Sequence, residues 1–136
     1  MRTAKPILGQ KEVVILDATK KGTDDRFTIT ILFQVKGTQR EFKDVLFYDE
    51  NNTARVSVLP AILRALADQT GLQENEFITE VGEELEWNVD KVVEHIKGKT
   101  ITVVRTQVIS ERNGQVYHNV NYRPETVVTE EEAVAL

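Results

Sequence analysis

Between Arg26 and Lys36 the side chains of Phe27, Ile29, Ile31, Phe33 and Val35 alternate with Thr28, Thr30, Leu32 and Gln34. An extended chain turns successive side chains to opposite faces, so this segment predicts a strand with one apolar face that neighbouring elements must cover. The flanking residues supply neighbours. Lys11 to Asp17 is a short β-branched run, followed by the turn-like Lys20-Lys21-Gly22-Thr23-Asp24-Asp25. On the other side Gly37-Thr38 makes a tight reversal into Gln39 to Tyr48, with Phe42, Leu46 and Tyr48 on one face and Lys43, Val45 and Phe47 on the other. The first third of the chain therefore reads as a three-stranded meander.

The period then changes. From about Arg55 to Lys97 the spacing is helical: Leu59, Ile62, Leu63 and Leu66 recur at i, i+3, i+4 and i+7, with Pro60 expected in a first turn and Gly71 as a C-terminal cap. Phe77, Ile78, Val81 and Leu85 suggest a second helix interrupted by Gly82, and Asn88 looks like the N-cap of a third through Val89, Val92, Val93 and Ile96, ended by Gly98. Trp87 reads as a packing residue at that helix entry. Strand character returns over Thr100 to Ser110, and Glu111-Arg112-Asn113-Gly114 forms a turn into Gln115 to Arg123. In that last strand Val116, His118, Val120 and Tyr122 share one face, expected to meet the core. Pro124 ends it, having no N–H to donate.

Three strands, a helical insertion and two strands, in a chain of 136 residues with 40% hydrophobic content, fit one domain. The fold expected is mainly β, a five-stranded Greek-key barrel of the oligonucleotide-binding (OB) type spanning 1–124, with its insertion at about 55–97. A generic α+β sheet with the same element order also fits; a ferredoxin-like or Rossmann arrangement does not, because the first three strands are joined by tight turns. There is no cysteine, which removes disulfides, thiolate metal sites and cysteine nucleophiles. The longest unbroken apolar stretches, Val13-Val14-Ile15-Leu16 among them, fall far short of the roughly 20 residues that cross a bilayer, and Met1-Arg2-Thr3-Ala4-Lys5-Pro6 leads into no signal core. A cytoplasmic protein without membrane attachment is expected.

The net charge of -5 counts at first against nucleic acid, whose phosphates are met by Lys and Arg. The excess is localised. Glu125, Glu130, Glu131 and Glu132 lie in an acidic tail, 125–136, that carries no base, and without those four the body has a net charge of -1.

Leu8-Gly9-Gln10-Lys11-Glu12-Val13-Val14-Ile15, the helix Leu59-Pro60-Ala61-Ile62-Leu63-Arg64-Ala65-Leu66, and Ile96-Lys97-Gly98-Lys99-Thr100-Ile101-Thr102-Val103 with Val116-Tyr117-His118-Asn119-Val120-Asn121-Tyr122 resemble small bacteriophage and prophage proteins that bind single-stranded DNA. The resemblance is a pattern over roughly residues 8 to 124, with no catalytic signature. It implies an OB fold that coats single strands during phage replication or recombination in the bacterial host, with neither catalysis nor cofactor. It also implies an acidic tail that recruits replication or recombination proteins, here Glu130, Glu131, Glu132 and the terminal Leu136, although an aromatic terminus is absent.

Sequence-tolerant binding of single strands needs cations along a groove and flat rings on which bases stack. Lys20, Lys21 and Arg26 lie in or beside the first hairpin loop and Arg112 at the tip of the last; Lys43, Phe47, Arg105 and Tyr117 are expected on the outer faces of the strands that those loops flank. The barrel can also self-associate into a homo-oligomer. Two alternatives belong to other classes: a protein-interaction or structural phage module on the same barrel, and a metal-dependent nuclease built on Glu41-Phe42-Lys43 with Asp44. His95 and His118 lack a third ligand at recognisable spacing, so no metal site is expected, and neither Ser57 nor Ser110 sits in a nucleophile elbow.

Overall fold

Strand β1 spans Gly9–Gly22, β2 Arg26–Val35 and β3 Glu41–Asp49 in the computed structural model, which describes residues 6–123 and, within them, the side chains of all but 53–57. The alternation of β2 is realised: Phe27, Ile29, Ile31 and Phe33 are buried, the last two completely. β1 is twice the expected length. Its pairing with β2 shifts between Ile15 and Asp17, so that Val13 and Ile15 point inward before the shift and Ala18 after it, leaving Leu16 exposed. This β-bulge inverts the parity of the inward side chains and bends the strand. The bend lets one strand serve two partners, β2 through Val13–Gly22 and a later strand through Gly9–Val14.

Helix α1 runs Thr53–Thr70, so Pro60 sits eight residues in and not in the first turn as expected. Proline there removes one main-chain hydrogen bond, but Leu59, Leu63 and Leu66 are buried around it, and that burial holds the helix across the gap. Gly71, at φ +78°, ends the helix, and the Leu72 N–H donates back to the Ala67 carbonyl at 2.9 Å. The second helix expected over Phe77, Ile78, Val81 and Leu85 is replaced by a single turn, α2 (Glu74–Phe77), and a hairpin, β4 (Ile78–Val81) and β5 (Glu84–Trp87). Gly82, at φ +65°, reverses the chain, so the residue read as a helix interruption is the hairpin turn. Helix α3 follows over Val89–Ile96, and the Asn88 side chain caps it by accepting from the Lys91 N–H at 3.1 Å.

Strands β6 (Thr100–Ile109) and β7 (Val116–Asn121) complete an antiparallel sheet in the order β3-β2-β1-β6-β7. Among the described residues no ladder joins the edges β3 and β7, yet side chains bring them together. Tyr122, 3% exposed, donates its hydroxyl to the Asp44 carboxylate at 2.5 Å, and the Arg105 guanidinium lies 4.8 Å over the Phe42 ring. Both contacts tie residues 42 to 44 of β3 to the β6–β7 pair, in which Arg105 faces Val120. The curled sheet encloses Phe33, Ile15 and Ile31, while α1 and α3 pack at its side. No helix among the described residues is long and apolar enough to cross a membrane.

Candidate nucleic-acid interface

Pairing register fixes which side chains share the outer face of β1, β2 and β3. Lys21 stands beside Thr28 and Thr28 beside Phe47; the next rows outward are Thr19, Thr30, Val45 and then Asp17, Leu32, Lys43. At the other end Arg26 stands beside Asp49. A shallow recess of about 590 Å³ opens among Lys21, Arg26, Thr28, Phe47 and Asp49, with Phe27 and Tyr48 also lining it; the rings of these two stack with centroids 4.9 Å apart. Phe47 is 51% exposed and Val45 40%. The core is already filled from the inner side of the same strands, which is why these outer apolar groups remain in water. Among the described residues Lys21, Arg26 and Lys43 make no ion pair within 4.0 Å.

The electrostatics of this face are balanced. Lys21, Arg26 and Lys43 share it with Asp17, Glu41 and Asp49. Beyond its end the negative charge of Asp25, with a smaller contribution from burial, raises the Glu50 carboxyl above the usual carboxylate range. The bases of this face are therefore confined to the recess and the Lys43 row, each of which also carries an acid, Asp49 in the first and Asp17 in the second.

Of the sequence-derived candidates, Lys21, Arg26 and Phe47 come together, and Lys43 lies two rows away on the same face. Lys20 does not join them: its side chain is 13% exposed, paired with Asp24 at 3.3 Å and Asp90 at 3.6 Å, and stacked 4.9 Å over Phe27. Arg105 corrects an expectation. It lies on the inner side of the sheet, donates to the Ile7 carbonyl at 2.9 Å and packs over Phe42; burial lowers its pKa and the nearby Asp44 charge opposes that. Arg112 and Tyr117 sit at and near the tip of the β6–β7 hairpin, where the Tyr117 hydroxyl donates to Gln115 at 3.0 Å and accepts from Asn113 at 3.3 Å. Val116 and His118, expected on the core side, are exposed because the hairpin projects past the core. Glu130, Glu131, Glu132 and Leu136 of the tail lie outside the described residues.

Thr28, Thr30 and Val45 complete the face and were visible in the alternation, but only the register identified them as neighbours of Lys21 and Lys43. The Asp44–Tyr122 pair left no local signal, the two being 78 positions apart.

The tripeptide Glu41-Phe42-Lys43 does not assemble a site with Asp44. Lys43 and Glu41 are exposed on the outer face while Asp44 points inward to Tyr122. His95 Nε2 lies 2.8 Å from the Thr70 carbonyl, and His118 stands apart on the hairpin. Among the described residues no three His, Asp or Glu side chains gather in a way that could hold a metal ion. No family model and no curated protein matches this sequence.

Proposed function

We propose that this protein binds single-stranded DNA with little sequence preference on the outer face of β1–β3, acting without catalysis or cofactor during phage or prophage replication or recombination in the bacterial cytoplasm. The observation that carries the reading is the recess in which Lys21 and Arg26 flank the half-exposed ring of Phe47. A base stacked on an aromatic ring contributes about 1–3 kcal/mol, and the cations meet the phosphates on either side of it. The fold reading supports this. We read the strand order β6-β1-β2-β3 as the 4-1-2-3 order of a Greek key, and the contacts of β3 with Arg105 and Tyr122 as the seam of a partly open OB barrel, whose second and third strands carry the oligonucleotide face.

The acidic tail, 125–136, is read as a recruiting segment for replication or recombination proteins. Titration of labelled oligo-dT, duplex DNA and RNA at two salt concentrations, with and without magnesium, tests the proposal. Tight, salt-sensitive binding of oligo-dT without cleavage supports it. Equal affinity for duplex DNA, or magnesium-dependent cleavage, would overturn it.

A protein-interaction role on the same barrel is favoured by a different observation, the apolar side chains exposed on the β6–β7 hairpin.

A further inference from the structure

The ladder between β1 and β6 stops at the Gly9–Arg105 pair, while β6 and β7 continue together to Ile109 and Val116. Among the described residues the outer half of this hairpin is an arm with no layer on either side. Val108 and Tyr117 are exposed on its outer face, 46% and 48%, and Ile109 and Val116 on the opposite face, 62% and 49%. Its charge is unusual for this chain: residues 106–121 hold one acid, Glu111, and one base, Arg112, in a protein that is 29% charged. Edge strands of soluble proteins are ordinarily protected from pairing by charge, proline or a covering element. β3, the other edge, carries Glu41, Lys43, Asp44 and Asp49; β7 carries no Asp, Glu, Lys, Arg or Pro.

Main-chain hydrogen bonding fixes which groups of β7 are free. The Ser110 N–H donates to the Gln115 carbonyl at 2.9 Å, so 110 and 115 form a hydrogen-bonded pair. Such pairs alternate along an antiparallel ladder, which places Tyr117 opposite Val108 and Asn119 opposite Thr106 in hydrogen-bonded pairs. The main-chain groups of Val116 and His118 consequently point away from β6, and among the described residues they have no partner. On the β6 side the chain before β1 stays close, its Ile7 carbonyl receiving Arg105.

We infer that the free edge of β7 pairs antiparallel with β7 of a second copy of this chain, centred on Tyr117. In that register Val116 of each copy meets His118 of the other, and all of their outward N–H and C=O groups are satisfied. A two-fold contact of this kind is self-complementary. It brings no like charges together, and it sets the two Tyr117 side chains beside each other on the outer face. Two short strands make a small interface, below about 1,200 Å², so the dimer is weak and concentration-dependent. The inference is independent of the nucleic-acid reading.

Sedimentation velocity of the full chain over a wide concentration range provides the test, beside Val116→Lys, which adds charge to the edge, and His118→Pro, which removes one outward N–H without touching the β6 ladder. The wild type is expected to reach twice the monomer mass, and both variants to stay monomeric with an unchanged unfolding temperature. Tyr117→Cys adds a test that does not depend on those variants folding. Facing residues in a non-hydrogen-bonded pair lie about 4.5 Å apart at Cα, within disulfide reach. Since the chain has no cysteine of its own, Tyr117→Cys should cross-link to itself on mild oxidation, whereas Val45→Cys on the exposed face of β3 should not. A wild type that stays monomeric at every concentration, a dimer indifferent to both folded edge variants, or a dimer in which Tyr117→Cys does not cross-link would overturn the inference.

Discussion

The Tyr122 hydroxyl donates to the Asp44 carboxylate at 2.5 Å, joining the two edges of a sheet that no main-chain ladder closes among the described residues. The Tyr122 ring lies 6.2 Å from that of Phe33, so Phe can replace the ring but not the hydrogen bond. Tyr122→Phe removes the side-chain donor of a half-buried carboxylate, a loss of about 1–3 kcal/mol of stability. Denaturant unfolding of Tyr122→Phe, Asp44→Asn and the double variant should show strong coupling between the two positions; additive losses would mean that the bond does not hold the edges together.

Burial is the chief reason that the Asp44 pKa is raised, against the lowering effects of the Tyr122 hydrogen bond, the Val45 main chain and the Arg105 charge. A carboxyl whose pKa is higher in the folded state binds its proton more readily there. Its stabilising contribution is therefore complete below the unfolded value of about 3.9 and is lost as pH rises through the folded value. Asn cannot ionise, so the stability of Asp44→Asn relative to wild type should improve from about pH 4 to neutral pH. Thermal unfolding at a series of pH values checks this, and a difference that does not change with pH would contradict it.

Substitutions on the outer face should act on binding and leave stability nearly untouched. Lys21→Ala and Lys43→Ala are each expected to lower the slope of log affinity against log salt by about 0.7. Phe47→Ala removes a stacking platform, for a loss of about 1–3 kcal/mol in affinity for oligo-dT. Fluorescence anisotropy at several salt concentrations measures both effects.

Arg105 should behave in the opposite way. Arg105→Ala loses the hydrogen bond to Ile7 and the contact over Phe42, and it removes the positive charge beside Asp44. A destabilisation of about 1–3 kcal/mol is expected, with oligo-dT affinity unchanged in the folded protein. Unfolding curves and binding isotherms on the same sample separate the two outcomes.

The meander was legible in the sequence because Phe27 to Val35 alternates without interruption and one face must be buried. β1 was half legible: its inward parity switches at the bulge beside Leu16, and a reading based on strict alternation stops at Asp17. The β4–β5 hairpin was misread as a helix because Phe77, Ile78, Val81 and Leu85 also satisfy helical spacing, and the conformation of Gly82 decides between them. Lys21, Arg26, Phe47 and Lys43 were named from loop position and alternation. Lys20 and Arg105 were drawn away by partners distant in sequence, Asp90 for the first and Ile7 and Phe42 for the second, and no local pattern announces such pairings.

The most direct measurement of the central claim is a backbone amide NMR titration of the full chain with oligo-dT. Shifts concentrated at Lys21, Thr28, Lys43, Val45 and Phe47, fading as salt is raised, are what a strand lying on the outer face of β1–β3 produces. Shifts confined to α1 and the β4–β5 hairpin, or no shifts at low salt, would contradict it.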